Sequence, residues 1–187
     1  MTTPELLYIH GFEGSLNGTK GSWLQEKYHT VGPNMTEASF SKLGLDPSIN
    51  HDVTDLFSHI QKQIDPSYAQ AVAQIDLNNL PKVVIASSFG AAIWLKMVQE
   101  YNLRTPTILL APACIELNQG DAFPKDMHII IIHGSQDKVI SPQSAQTLKQ
   151  NSGSNTQLWV IEDEHRLASL TKENPALKNA IAELLAL

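Results

Sequence analysis

Short apolar runs alternate along the chain with longer segments in which apolar residues recur at helical spacing. Most of the runs are apolar at consecutive positions, which is typical of parallel strands covered by helices on both faces. They lie at residues 6–10, 83–86, 107–110, 128–133 and 157–161, and a weaker run lies at residues 30–33. The pattern predicts a mostly parallel sheet of about six strands.

Helices are predicted between these runs. The apolar residues of segment 90–101 fall largely on one side of a helix, and another helix follows Ser141-Pro142, where serine caps it and proline occupies the first turn. Further helices are expected near residues 21–28, 53–64 and 67–78 and after Asn174-Pro175. Strands and helices then alternate, and right-handed crossovers build an open, doubly wound α/β sheet.

The predicted fold also locates a crevice for a ligand. In open α/β sheets, ligands bind beyond the carboxyl ends of the strands, at the point where the strand order reverses. A flavodoxin-like order places this point between the first and third strands. The loops that follow these strands, at residues 10–15 and 87–90, are rich in Gly and Ser.

The composition is that of one globular domain, which we expect to cover residues 1–187. With 42% hydrophobic and 17% charged residues, the chain is neither disordered nor collagen-like. Its single cysteine, Cys114, excludes an internal disulfide. A net charge of -6, with 13 Lys and Arg spread thinly against 19 Asp and Glu, argues against a nucleic-acid partner.

Membrane insertion is not expected. The first residues lack the basic region and the apolar stretch of a secretory signal, and no later run approaches about 18 uninterrupted apolar residues. We expect a soluble cytoplasmic protein that is a monomer or a small homo-oligomer.

A small-x-Ser-x-Gly pentad joins the third predicted strand to the helix behind it. Its sequence is Ala86-Ser87-Ser88-Phe89-Gly90. A serine on so sharp a turn exposes its hydroxyl above the sheet, and the small residues on either side leave room for neighbouring backbone. Ser88 is therefore the candidate nucleophile of a nucleophile elbow. The alternative is a serine that caps an ordinary Rossmann-like turn.

Two more polar residues follow later strands in the same way. A serine hydroxyl needs a base to take its proton and a third group to orient that base. The turn after residues 128–133 presents Asp137, and the loop after residues 157–161 presents His165. Ser88, Asp137 and His165 follow the Ser, acid, His order of α/β-hydrolases, which differs from the chymotrypsin and subtilisin orders.

Two backbone N–H groups are candidates for an oxyanion hole. Phe89 lies at a helix N-terminus, where partial positive charge stabilises an oxyanion. Phe12 follows Gly11, which lets the backbone approach closely. The alternative is a phosphate-binding loop, but neither Gly11 nor Gly14 has the Walker A spacing and a G-x-G-x-x-G motif is lacking there.

Three segments together resemble the small α/β-hydrolase superfamily, and in particular its YqiA-like bacterial esterases. They are Leu-Leu-Tyr-Ile-His-Gly-Phe-Glu-Gly-Ser at 6–15, Ala-Ser-Ser-Phe-Gly-Ala-Ala at 86–92 and His-Gly-Ser-Gln-Asp-Lys-Val-Ile at 133–140. The resemblance covers nearly the whole chain. It implies roles for Ser88 as nucleophile, His165 as base, Asp137 as its partner, and Phe12 and Phe89 as oxyanion donors. It also implies hydrolysis of carboxylic esters without a metal or an organic cofactor.

Two departures from the usual pattern of these hydrolases concern the elbow and the histidine loop. Ala86 replaces the first glycine of the elbow, and His165 lies in Asp163-Glu164-His165-Arg166 instead of a Gly-rich loop. If Glu162, Asp163 and Glu164 point inward, they favour imidazolium. They then predict an activity optimum on the alkaline side.

Other chemistry fits the sequence less well. His10, His133 and His165 all end predicted strands, but no H-x-H, H-E-x-x-H or close Cys and His pair provides the spacing of a metal site. We therefore expect no metal and no cofactor. Cys114 is expected to be a small packing residue rather than a nucleophile.

These observations predict a single-domain serine hydrolase that cleaves carboxylic esters or thioesters of small molecules through an acyl-enzyme. Residues 111–127, between the fourth and fifth strands, are too few for a lid domain, so we expect an open site that prefers short acyl chains. The alternative is a non-catalytic binding module that keeps the fold. Such a module has no physical reason to retain nucleophile, base and acid together.

Overall fold

Six parallel strands form one sheet in the computed structural model, which describes residues 4–44 and 53–187. The strands are β1 (Leu6–Ile9), β2 (Thr30–Val31), β3 (Val83–Ser87), β4 (Thr107–Leu110), β5 (Ile129–Gly134) and β6 (Thr156–Ile161). Their order is β2-β1-β3-β4-β5-β6. The predicted α/β fold class is confirmed, and the order reverses between β1 and β3 as expected. The predicted domain also includes residues 1–3 and 45–52, which lie outside the described residues.

The helices are α1 (Thr19–Lys27), α2 (Phe40–Leu43), α3 (Val53–Gln61), α4 (Ile64–Gln74), α5 (Phe89–Tyr101), α6 (Pro142–Asn151) and α7 (Ala176–Leu185), and residues Ala168–Thr171 form a 3-10 turn. The predicted cap of α6 is present, because the Ser141 hydroxyl accepts a hydrogen bond from the Gln143 N–H at 3.2 Å.

None of the helices in the described residues has the length and apolar character needed to cross a membrane.

Two apolar clusters, one on each face of the sheet, explain why the strand sequences are apolar at consecutive positions. Neighbouring residues of a strand point to opposite faces. In β5, Ile130 and Ile132 belong to the cluster that includes Leu24 of α1 and the buried face of α7. Ile129 and Ile131 belong to the cluster that includes the buried residues of α4, α5 and α6. Each isoleucine of this strand therefore meets a helix layer.

The predicted alternation of strands and helices is wrong at two connections. Among the described residues, three helices lie between β2 and β3, namely α2 and the two that were predicted near residues 53–64 and 67–78, α3 and α4. The fully described residues 111–128 between β4 and β5 contain none. Pro112, Gly120 and Pro124 interrupt that segment and disfavour a helix. It forms a series of turns, one of which is closed by a 2.9 Å hydrogen bond from the Gln119 N–H to the Cys114 carbonyl.

Candidate active site

Ser88 lies at the turn between β3 and α5 in a strained backbone conformation. Its φ of 50° is uncommon for a residue with a side chain. Its N–H donates to the Leu110 carbonyl of β4 at 2.8 Å, and its carbonyl accepts from the Ala91 and Ala113 N–H groups at 3.0 and 3.3 Å. Hydrogen bonds on both sides therefore hold the turn that presents the hydroxyl at the carboxyl end of the sheet.

The backbone of β1 passes so close to this turn that small residues are required. A Cβ atom at Gly90 would lie 2.3 Å from the Ile9 carbonyl oxygen and 2.5 Å from that of His10. Ala86 is fully buried, with Ile9 of β1 and Leu109 of β4 as its partners in the sheet. Alanine stands here in place of the usual first glycine of the pentad, and its single methyl group fits between the side chains of the two neighbouring strands.

A continuous chain of hydrogen bonds connects Ser88, His165 and Asp137. The Ser88 Oγ lies 3.0 Å from His165 Nε2, and His165 Nδ1 lies 2.8 Å from Asp137 Oδ2. An imidazole that donates from Nδ1 to a carboxylate has Nε2 free to accept a hydroxyl proton. The structure thus brings together the three side chains that the sequence suggested, and their roles stay predictions.

The loops that carry Asp137 and His165 are joined through their backbones. The Gln136 N–H donates to the Asp163 carbonyl at 3.0 Å. A Cβ atom at Gly134 would lie 2.3 Å from the same carbonyl oxygen, so the close approach of the two loops requires glycine at this position. The end of β5 therefore determines where the loop after β6 can lie.

Asp163 stabilises the His165 loop from within. Its carboxylate accepts the N–H groups of Glu164 at 2.8 Å and Ser169 at 2.9 Å. Burial by itself would raise the pKa of Asp163, but the hydrogen bonds lower it. Glu162 and Glu164 are exposed, and in the described part of the chain the one carboxylate hydrogen bond of the imidazole is to Asp137. The condition for the predicted alkaline optimum is therefore not met.

A second histidine, which sequence reasoning did not connect with the acid, also contacts Asp137. His133 Nε2 lies 3.3 Å from Asp137 Oδ2 and 3.1 Å from the Ile140 carbonyl oxygen, and both side chains are fully buried. Asp137 Oδ1 accepts the N–H groups of Val139 and Ile140 at 2.8 and 2.9 Å. Burial would raise the pKa of Asp137, but hydrogen bonds from two imidazoles and the backbone hold it well below its ordinary value.

His10 supports the loop after β1. Its Nδ1 lies 2.8 Å from the Gly11 carbonyl oxygen, and its Nε2 accepts the Met35 N–H at 3.1 Å. A ring that donates from one nitrogen and accepts at the other is neutral, and burial lowers the pKa of His10 accordingly. The two hydrogen bonds tie the loop that carries Phe12 to the segment after β2.

The predicted oxyanion donors both border the site. Phe12 and Phe89 line the cleft above Ser88, and their rings meet edge to face with centroids 5.7 Å apart. Among the described residues, neither backbone N–H has a hydrogen-bond partner. Both groups are therefore available to an acceptor in the cleft, and their role stays a prediction.

Two other candidate chemistries gain no support from the geometry. Burial raises the pKa of the Cys114 thiol far above its ordinary value, so the sulfur is held in its unreactive neutral form. Within residues 4–44 and 53–187, no group of three or more His, Cys, Asp and Glu side chains is placed to hold a metal ion.

The cleft above Ser88 has a volume of about 720 Å³ and two chemically different walls. The apolar wall comes from the β1 loop, α2, α3 and the β4–β5 connection, and its large side chains are Phe12, Phe40, Leu56, Phe57, Ile60 and Leu117. The polar wall comes mainly from the start of α1 and the segment that follows His165, and includes Thr19, Lys20, Arg166 and Thr171, together with Ser15 of the loop after β1. The sequence analysis considered a cover only in residues 111–127. It did not predict α2, and it predicted the helix at residues 53–64 without its place at the cleft.

Lys20 is the second residue of this site that sequence reasoning missed. Its ammonium donates to the Arg166 carbonyl, next to His165. Burial lowers the pKa of Lys20, and the nearby Asp163 partly offsets that effect. The available signal was a cation just behind the Gly-rich loop of the first strand, which borders the crevice of such folds.

The order of the parallel strands is that of the α/β-hydrolase fold, and solved structures with that fold are similar to this chain. An esterase from Pyrococcus furiosus has a TM-score of 0.64 and 16% identity, over 97% of this chain and 81% of that one. A serine hydrolase homologue from Coxiella burnetii has a TM-score of 0.55 and 16% identity, over 96% and 83%. Mouse alpha/beta hydrolase domain-containing protein 10 has a TM-score of 0.60 and 12% identity, over 99% and 88%.

These identities show a shared fold and no more. No protein-family model matches the sequence, and the comparison with curated proteins finds no similar one. The resemblance to the YqiA-like esterases therefore stays a prediction.

We expect Asp137→Asn to change how stability depends on pH. The depressed pKa of Asp137 means that its carboxylate stabilises the fold above its unfolded pKa of about 4, and that this contribution is lost as the pH falls towards the folded value. Denaturant titrations between pH 7 and pH 3 should show a larger loss of unfolding free energy in the wild type than in Asp137→Asn.

The matched control is Asp126→Asn, which removes an exposed carboxylate paired with Arg104. It should keep the pH dependence of the wild type. Equal losses in the wild type and Asp137→Asn would contradict the description of Asp137 as a strongly hydrogen-bonded, buried carboxylate.

Proposed function

We propose that the protein is a serine hydrolase that cleaves carboxylic esters or thioesters through an acyl-enzyme intermediate. The observation that carries this proposal is the hydrogen-bond chain from Ser88 through His165 to Asp137 on the floor of the cleft. Both distances are within the range for a nucleophile and its base, or a base and its orienting acid. The hydrolase and esterase names of the structural neighbours agree with it.

Acylation begins when His165 Nε2 takes the proton of the Ser88 hydroxyl as its oxygen attacks the substrate carbonyl carbon. The negative charge of Asp137 stabilises the imidazolium that forms. The oxyanion accepts hydrogen bonds from the free N–H groups of Phe12 and Phe89. His165 then gives the proton to the departing alcohol or thiol, and the acyl group stays on the serine.

Deacylation repeats these steps with water in place of the leaving group. His165 takes a proton from the water as its oxygen attacks the acyl carbon, and the tetrahedral intermediate uses the same N–H donors. When the intermediate collapses, the serine oxygen leaves and takes the proton back from His165. The net reaction consumes one ester or thioester and one water, and yields a carboxylic acid and an alcohol or thiol.

The apolar wall of the cleft suits the acyl part of the substrate. Because His165 protonates the leaving group, that group leaves on the side of the histidine, and the acyl group lies away from it. We assign the acyl group to the apolar lining residues, which include Phe12, Phe40 and Phe57. Each methylene buried contributes about 0.8 kcal/mol. This wall supports longer acyl chains than the short ones expected from residues 111–127 alone.

The nucleophile is tested with a fluorophosphonate probe, which forms a bond only with an activated serine. The wild type should be labelled, and Ser88→Ala should not be. Hydrolysis of a 4-nitrophenyl ester should fall by at least about 10³-fold in Ser88→Ala, because the remaining groups supply only binding and oxyanion stabilisation. The control is Ser87→Ala, the adjacent serine that also lines the cleft, which should still be labelled.

If a known esterase is labelled under the same conditions and the wild-type protein is not, the serine-hydrolase proposal fails. The non-catalytic binding module then becomes the better description of the site.

Acyl-chain preference is tested with 4-nitrophenyl esters of two to twelve carbons. From acetyl to octanoyl, kcat/KM should rise by at least about tenfold, since burying even two methylenes contributes that much. Phe57→Ala should reduce the octanoyl-to-acetyl ratio, whereas Tyr101→Ala, at the exposed end of α5, should leave it unchanged. A wild-type preference for acetyl would contradict the assignment of the apolar wall to the acyl group.

A further inference from the structure

The side of the cleft next to His165 is the place of the leaving group if the proposed hydrolysis is correct, because a base can protonate only a group that it touches. The cleft lining here comes from the start of α1 and from the segment that follows His165. It includes the polar residues Thr19, Lys20, Arg166 and Thr171 beside Leu167 and Ala168. The leaving group therefore meets surroundings richer in polar and charged side chains than the apolar wall.

Two positive charges dominate this polar wall. The Lys20 ammonium has three N–H donors, one of which is used by the Arg166 carbonyl. In the described part of the chain, the other Lys20 donors and the Arg166 guanidinium make no hydrogen bond to protein. Neither side chain forms an ion pair within residues 4–44 and 53–187.

The carboxylates near this wall accept hydrogen bonds from backbone N–H groups. The Asp163 carboxylate accepts the N–H groups of Glu164 and Ser169 inside the His165 loop. Glu13 lines the cleft, but its carboxylate accepts the Phe40 N–H at the start of α2, on the side of the apolar wall. Within the described residues, Lys20 and Arg166 thus line the cleft without an ion pair, although Asp163 lies near enough to Lys20 to favour its charged form, in a chain whose net charge is -6.

We infer that the site selects substrates whose leaving group carries a negative charge, and that Lys20 and Arg166 bind that charge. The substrate is then an ester or thioester with an apolar acyl group on the α2 and α3 side and an anionic group on the His165 side. A carboxylate or a phosphate meets the requirement, since both accept hydrogen bonds from ammonium and guanidinium groups. This inference rests on the proposed serine-hydrolase function.

An anionic leaving group bound beside Lys20 would also change the protonation of this lysine. Burial lowers the pKa of Lys20 because the ammonium loses water, and an anion bound beside it would favour the charged form again. The lysine also holds the Arg166 carbonyl, so its loss would disturb the loop of His165 as well. A test must separate these two consequences.

Two esters with the same acyl group distinguish loss of charge binding from disturbance of the His165 loop. The anionic substrate is 4-carboxyphenyl butanoate, and its neutral counterpart is 4-carbamoylphenyl butanoate. For each, kcat/KM is divided by the rate constant of alkaline hydrolysis, which removes the difference in leaving-group reactivity. The ratio of the two normalised values measures charge selection, whereas a disturbed His165 loop slows both esters alike and leaves the ratio unchanged.

The wild type should favour the anionic ester by about tenfold or more, the contribution of one hydrogen bond to a charged group. Arg166→Gln and Lys20→Met should each reduce this ratio by about tenfold, and Lys20→Arg should restore most of it. Arg166→Gln carries little folding risk, because its guanidinium makes no hydrogen bond among the described residues. The control is Lys149→Met, in the last turn of α6 outside the cleft, which should keep the wild-type ratio.

Equal normalised rates for the two esters in the wild type would overturn the inference and leave the proposed hydrolysis intact. A wild-type preference that persists in both Arg166→Gln and Lys20→Met would overturn it as well. If the wild type hydrolyses neither ester and Ser88 is not labelled by the fluorophosphonate, the proposed function fails and the inference fails with it.

Discussion

The carboxylate of Asp137 is charged in a place that water does not reach, and the rest of the site depends on how that charge is satisfied. A buried carboxylate is tolerated only when hydrogen-bond donors surround it. Two backbone N–H groups hold one oxygen, and His133 and His165 meet the other. The donors determine the shape of the acid loop and turn the His165 ring towards Ser88.

The fold supplies this arrangement because parallel strands end at one edge of the sheet. Ser88, Asp137 and His165 follow β3, β5 and β6, so the hydroxyl contacts an imidazole that is 77 positions further along the chain. Close backbone contacts bridge the remaining distance. Glycines at 90 and 134 allow the serine turn to lie against β1 and the acid loop to lie against the histidine loop. The geometry is thus a property of the backbone as much as of the three side chains.

The sequence predicted the sheet and the three strand-end side chains because both depend on local patterns. Consecutive apolar residues mark buried strands, and polar residues directly after them mark the edge where ligands bind. His133 and Asp137 are only four residues apart, but their contact depends on how the chain turns after β5, which the apolar pattern does not report. The position of Lys20 behind the first Gly-rich loop was its only local signal, since its contact with the His165 loop depends on tertiary packing. The same is true of the long β2–β3 connection, where α2 and α3 reach the cleft. Pro112 and Pro124 did carry a signal against a helix between β4 and β5, which the expected alternation obscured.

A transient bond between the acyl group and the Ser88 oxygen is the central claim, and peptide mass spectrometry measures it directly. The wild-type protein is mixed with a 4-nitrophenyl ester, quenched in acid within milliseconds and digested. The peptide containing Ser88 should gain the mass of the acyl group, and fragmentation should assign that mass to the serine. Steady hydrolysis with the acyl mass on Ser87 or Cys114, or on no residue at all, would contradict an acyl-enzyme on Ser88.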